Sequence, residues 1–248
     1  MQALTKVQNN QLYKIRQKAW KCIQKYALIN DGDKILIGLS GGKDSLALTE
    51  ILGERMKIST PSFTLVAAHV SVSNIPYTAD LVYLEQFAAQ YNIPFVHTTT
   101  KFDATTDSRK SPCFLCSWNR RKSLFDLAKA NGCNKIALGH HQDDILETLL
   151  LNMSFQGAFG SMPPKLSMNK FDMTIIRPLS LLSEKEMMAL AEIRSYQKQI
   201  KNCPYEKDSY RAEIKKLIQT LEAMNPNVRS SMWNSMTNIQ QHYLPKNS

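Results

Sequence analysis

The 248-residue chain contains no apolar run near the ~20 residues needed to cross a bilayer. Its first thirty residues lack the h-region of a secretory signal. The expectation is a cytoplasmic protein that makes no use of a membrane. Cysteine is sparse and odd in number: Cys22, Cys113, Cys116, Cys133 and Cys203. Five thiols without an export signal argue against a disulfide framework and leave reduced sulfur for metal binding or catalysis. No internal repeat or low-complexity linker is present, and 43% hydrophobic residues suffice for a real core, which excludes collagen-like and disordered classes. Acids are outnumbered, 21 against 31 Lys and Arg, for a net charge of +10 and a pI near 9.3. Such a surface attracts polyanions, nucleic acid first among them.

The deficit of acid is complete in residues 1–30, which hold six basic side chains and no Asp or Glu. Leu12, Ile15, Ala19, Cys22 and Tyr26 recur there at helical spacing, giving an amphipathic helix with a cationic face, either packed on the main domain or reaching for RNA. Beyond residue 31, β-rich runs at 34–39, 63–70, 94–99, 135–139 and 174–177 alternate with helical stretches near 43–56, 77–91, 114–131 and 142–153. Helices are then expected over 183–199, 210–224 and 227–240. This alternation predicts an α/β fold, a doubly wound parallel sheet with ligands at the carboxyl ends of its strands. The expected organisation is a basic helix over 1–30, a nucleotide-binding α/β domain over 31–180 and a helical extension over 181–248.

The first strand runs into Ser40, Gly41, Gly42, Lys43, Asp44 and Ser45, with a helix directly behind. Two glycines permit a tight turn, so that backbone N–H groups and two hydroxyls converge on a helix N-terminus, where phosphate is favoured. The spacing is neither that of a Walker A loop nor that of a GxGxxG turn. A later strand ends in Gly139, His140, His141, Gln142, Asp143 and Asp144. Adjacent carboxylates in such a place are candidates for Mg²⁺, or else compensate the dipole of the helix they open. The two histidines read either as a general base or as neutral imidazoles bonded to nearby backbone.

Cys113 and Cys116 form a CxxC at the start of a helix, and Cys203 follows 87 residues later beside Pro204. On its own the pair is a zinc half-site, a redox pair or two buried thiols. Tetrahedral zinc needs a fourth ligand that no second CxxC supplies, whereas a three-cysteine iron–sulfur cluster needs only these three residues. Cys22 and Cys133 lie in apolar helical contexts and read as packing residues.

The 40–45 loop resembles the PP-loop of the ATP pyrophosphatase superfamily, and the second loop, GHHQDD with Glu147 and Thr148 behind it, resembles the second signature of its tRNA-modifying members. With PCFLC followed by Arg120 and Arg121, SMPPKL at 161–166 and IIRPL at 175–179, the chain is similar to the tRNA 2-thiocytidine synthetase group from about residue 12 to about residue 244. That resemblance implies a fold of the adenine nucleotide α-hydrolase type and ATP held by Ser40, Gly41, Gly42, Lys43, Asp44 and Ser45. Adenine would lie at the strand end marked by His69 and Gly139, and Mg²⁺ on Asp143 and Asp144. It further implies a [4Fe-4S] cluster on Cys113, Cys116 and Cys203, and tRNA as substrate. Asp44, Asp143, Asp144 and Arg120 are the expected catalytic residues. A sulfur donor of the cysteine desulfurase type is the expected partner, and a homodimer is one option for its assembly. Phe114, Trp118 and Tyr205 are candidates to stack a base. The chain departs from the better-known bacterial members in one respect: Cys203-Pro204-Tyr205-Glu206 stands where they carry a second CxxC. The competing readings are a tRNA lysidine synthetase-like ligase, which needs no cluster, and a redox sensor that binds ATP without splitting it.

Overall fold

The computed structural model describes residues 4–58, 60–75, 79–103, 105–106, 111–168, 171–199 and 210–245. Cys203 and Tyr205 lie outside them. The chain divides into two compact units, one of residues 1–142 and 163–207, the other of 143–162 and 208–248.

The first unit is built on a six-stranded sheet of β1 (Asp33–Gly38), β2 (Phe63–Val72), β3 (Phe95–Thr100), β4 (Lys135–Ala137), β5 (Lys165–Met168) and β6 (Met173–Ile176), in the order β3-β2-β1-β4-β6-β5. All pairings are parallel except β5 with β6. The period-2 pattern of β1 sets both layers: Ile35 and Ile37 join one core with α1 (Lys6–Lys25), α2 (Lys43–Met56), α3 (Leu81–Ala89) and α6 (Glu184–Ile193), while Leu36 joins the other with Phe125 and Ala128 of α4 (Pro112–Ala130).

In α1, Leu12, Ile15, Ala19 and Cys22 are buried as the spacing predicts, and Thr5 with Gln8 forms a capping box. Two cations of its basic face turn inward: Lys18 pairs with Glu186 at 2.9 Å and Arg16 with Glu50 at 3.0 Å. Glu50, 1% exposed on α2, also takes Arg194 Nε at 2.9 Å and the Tyr196 hydroxyl at 2.8 Å. Removing that carboxylate strands two guanidinium groups and a phenol around a buried hole. Glu50→Ala is therefore expected to lower unfolding stability by about 3–5 kcal/mol, and Glu50→Gln by less, as read from urea midpoints.

Two elements differ from expectation. Residues 165–168, not among the expected strands, form edge strand β5; its mostly exposed Lys-Leu-Ser-Met has no alternation to mark it. The helix expected over 183–199 stops at Ile193. Ser195 takes a left-handed φ of 51°, Tyr196 N–H bonds Ala191 O at 3.0 Å and Ser195 N–H bonds Glu192 O at 3.1 Å. This is a Schellman stop without the usual glycine, held in place by the pull of Glu50 on Arg194 and Tyr196.

The second unit packs α5 (Gln142–Gln156, from Asp143 onward), α7 (Arg211–Met224) and α8 (Val228–Ser235) around Leu146, Ile214 and Ile218, with Trp233 and Met236 against them. The helix expected to reach residue 240 ends at Ser235. There the Ser235 and Thr237 hydroxyls bond to Met232 O and Asn234 O.

Candidate active site

β1 ends at Gly38 and α2 begins at Lys43, so the 40–45 loop lies at the carboxyl edge of the sheet's centre. Gly41 has φ +84°, which only glycine adopts freely. Gly42 is the N-cap and gives α2 no side-chain cap, so its first N–H groups are left for another acceptor. The Ser40 and Ser45 hydroxyls stand 3.2 Å apart, with Ser45 Oγ also donating to Gly42 O at 2.9 Å. Hydroxyls and N–H groups thus converge as an anion cradle requires. Lys43 Nζ lies 3.1 Å from Asp44 Oδ2, while Asp44 Oδ1 is buried without a hydrogen-bond partner among the described residues. An orphaned carboxylate oxygen beside an anion cradle fits a hard cation such as Mg²⁺.

Beneath this loop lies Gly139. A methyl group there would stand 2.9 Å from the carbonyl carbon and oxygen of Asp44 and 3.1 Å from Ser45 N, so glycine alone lets the second loop pass under the first. His141, also buried, has Nε2 3.9 Å from Asp44 Oδ1. His140 Nδ1 accepts from Arg177 Nε at 3.3 Å, which fixes that ring nitrogen as unprotonated.

His69 sits inside β2, which runs on to Val72, and its ring turns into the fold. Nδ1–H donates to Leu39 O at 2.8 Å and pins the end of β1. Burial pushes its pKa down to about 4, and the positive charge of Arg120 works in the same direction. The ring is neutral in the folded state at pH 7. Because the unfolded chain takes up that proton near pH 6.5, stability is full above pH 6.5 and is lost as the pH falls toward 4. The expected loss from pH 7 to pH 5 is about 2 kcal/mol, measured by urea unfolding, and His69→Gln should flatten that slope.

α4 opens with Ser111 as N-cap and Pro112 in its first turn, which places Cys113 and Cys116 one turn apart with Cβ atoms about 5–6 Å from each other. Cys113 is exposed and Cys116 half-buried. Phe114 and Trp118 are exposed on the same helix, and Lys122 Nζ lies 5.9 Å from the Trp118 ring. Among the described residues no three His, Cys, Asp or Glu side chains gather as a metal site. The third expected sulfur, Cys203, is outside those residues.

The partners of three arginines carry no signature in a single sequence. Arg177 of the IIRPL run is buried and gives Nη1 to Pro163 O at 2.7 Å. Burial lowers its pKa to about 10, helped by the charge of Arg121, yet it stays a cation at neutral pH. In the second unit Arg229 bonds Asp143 and, at 3.1 Å, Glu222. Arg211 donates to Glu147 at 3.2 Å and lies 3.9 Å from Asp144. Both carboxylates that open α5 thus face arginine, partners separated from them by more than sixty residues of chain.

An anion cradle at the carboxyl end of a central strand of a doubly wound sheet defines a phosphate-binding class. The profile of the PP-loop domain family matches residues 10–219, and the chain belongs to that family. It is 36% identical over 251 aligned positions to the tRNA-cytidine(32) 2-sulfurtransferase of Aliivibrio fischeri strain MJ11, covering 98% of this chain and 82% of that one. The enzyme of the same name from Geobacter sulfurreducens is 33% identical over 245 positions, 96% of this chain and 94% of the relative. Among solved structures, the U34-tRNA thiolase NcsA from Methanococcus maripaludis with its [4Fe-4S] cluster superposes with a TM-score of 0.77, covering 97% of this chain and 82% of that one. At 24% identity it supports the fold alone.

Proposed function

We propose that the protein is an ATP-dependent tRNA-cytidine 2-sulfurtransferase. The observation that carries this is near-full-length identity to tRNA-cytidine(32) 2-sulfurtransferases, with the phosphate loop, the second loop and the CxxC all present. Ser40, Gly41, Gly42 and Ser45 hold the phosphates through N–H and hydroxyl donors, and Lys43 adds positive charge. The C2 oxygen of cytidine attacks the α-phosphate, pyrophosphate departs, and C2 is left bearing a good leaving group. Sulfide then replaces that oxygen and AMP carries it away, so atoms balance without net oxidation or reduction. Arg120 stabilises the anionic charge that moves between α-phosphate and leaving group. Asp44 is the Mg²⁺ candidate with an orphaned oxygen; Asp143 and Asp144 are those of the sequence, and in them the cation would compete with Arg229 and Arg211.

Cys113 and Cys116 one helical turn apart suit a cluster with three protein thiolates. A [4Fe-4S] group held there with Cys203 would supply the sulfur. Four peptide units, no more than about 14 Å of chain, separate Cys203 from Gln199, which packs on Gly41. The cationic surface, with exposed Lys14, Lys21 and Lys25 of α1, draws in the tRNA backbone, and binding should weaken steeply with salt. The protein works in the cytoplasm with a desulfurase-type donor. The test is nucleoside mass spectrometry of tRNA from a deletion strain. Specific loss of 2-thiocytidine is expected; loss of lysidine or of another thionucleoside would reassign the substrate.

A further inference from the structure

Once α6 ends, residues 194–199 stay beside the phosphate loop as a strap tied at both ends. Arg194 and Tyr196 hold its base to Glu50 of α2. At its tip the Gln197 backbone N–H donates to the Tyr83 hydroxyl at 3.2 Å, and Gln197 Nε2 donates to Asp80 Oδ2 at 3.1 Å. Gln199 Oε1 accepts from Asp80 N at 2.8 Å. The strap, α6 and the loop together line a cavity of about 680 Å³ whose walls include Gly41, Gly42, Lys43, Asp44 and Gln199, a volume in the range of small-ligand sites.

The orientation of the Gln199 amide follows from its partner. A backbone N–H can only donate, so the oxygen faces Asp80 and Nε2 is turned the other way. That nitrogen is buried and has no hydrogen-bond partner among the described residues. The same side chain rests on Gly41, where an added methyl would stand 2.9 Å from its Cγ and 3.5 Å from its Cδ. Among the described residues, this donor beside a loop built for anions has no acceptor.

We infer that Gln199 positions the nucleotide: its Nε2 donates to an oxygen of the β- or γ-phosphate held by the 40–45 loop. This rests on the phosphate-loop reading above and extends it to the segment leading to Cys203, since nucleotide contact then fixes the residue four before that cysteine. In a solely structural role, Gln199 would serve only to accept from Asp80.

Gln199→Glu separates the two, because it keeps an acceptor for the Asp80 N–H and sets a carboxylate oxygen where the donor was. Calorimetric titration of the full chain with Mg-ATP, pyrophosphate and AMP is the measurement, with thermal midpoints alongside. Expected for Gln199→Glu is at least about 30-fold weaker binding of ATP and pyrophosphate with AMP changed less than about two-fold and the midpoint unaltered. Gln199→Ala should lose about ten-fold toward the same two ligands. Wild-type ATP affinity in Gln199→Glu, or an equal loss for AMP, would overturn the inference while leaving the phosphate loop intact as the ATP site. Absence of ATP binding by the wild type would overturn both.

Discussion

Cys116→Ala should make no detectable 2-thiocytidine, a fall on the order of 10³ or more, while binding ATP as tightly as the wild type and unfolding at the same temperature. The asymmetry follows from where the thiol sits. Cys116 is half-buried in the second turn of α4, outside either core of the first unit, one turn from the exposed Cys113. Truncating it removes no side chain from either core. Anaerobically purified wild type should be brown, and the variant bleached. Cys22 is the contrasting case. It is fully buried, its thiol lies 3.7 Å from Arg177 O, and burial pushes its pKa up to about 12. Cys22→Ala should therefore retain thiolation and lose only packing stability, about 1 kcal/mol. Nucleoside analysis of tRNA reacted with each variant, with iron content measured in parallel, distinguishes the two thiols. Wild-type thiolation by Cys116→Ala would remove the pair from the reaction.

Gly139→Ala carries the second large effect. Its methyl meets backbone, the carbonyl of Asp44 and the amide of Ser45, and neither can rotate away as a side chain would. The phosphate loop has to shift by several tenths of an ångström, and shifts on that scale at a reacting centre lower rates about 10²-fold. Both ATP affinity and tRNA-dependent pyrophosphate release should fall by that order, with secondary structure retained by circular dichroism. Gly132 and Gly160 have open space around the corresponding position, so Gly160→Ala serves as the neutral control.

The parts of the fold that were legible were those in which local chemistry decides local structure. A β-branched run, two glycines and a helix set the 40–45 loop, and the spacing of Leu12, Ile15, Ala19 and Cys22 set the buried face of α1. What stayed hidden depends on residues distant in sequence. Glu50 reads as one more polar residue of α2 until Arg16, Arg194 and Tyr196 are brought to it, and that gathering is what ends α6 early. Edge strand β5 has too few residues and too little burial to leave a pattern. The pairing of Asp143 with Arg229 and the approach of Arg211 to Asp144 were hidden because neither arginine carries a mark of its destination. The side chain of His69 turned out to be a fastener between β2 and Leu39.

The central claim is that one protein both activates a cytidine with ATP and delivers sulfur to the activated carbon. Its most direct measurement is a single-turnover reaction under anaerobic conditions: purified protein with reconstituted iron, ATP, a sulfide source and tRNA lacking the modification, followed by quantifying nucleosides and nucleotides together. One AMP and one pyrophosphate should appear for each 2-thiocytidine, with neither product formed when ATP is withheld. Sulfur incorporation without AMP, or AMP formation on tRNA whose cytidines stay unthiolated, would contradict it.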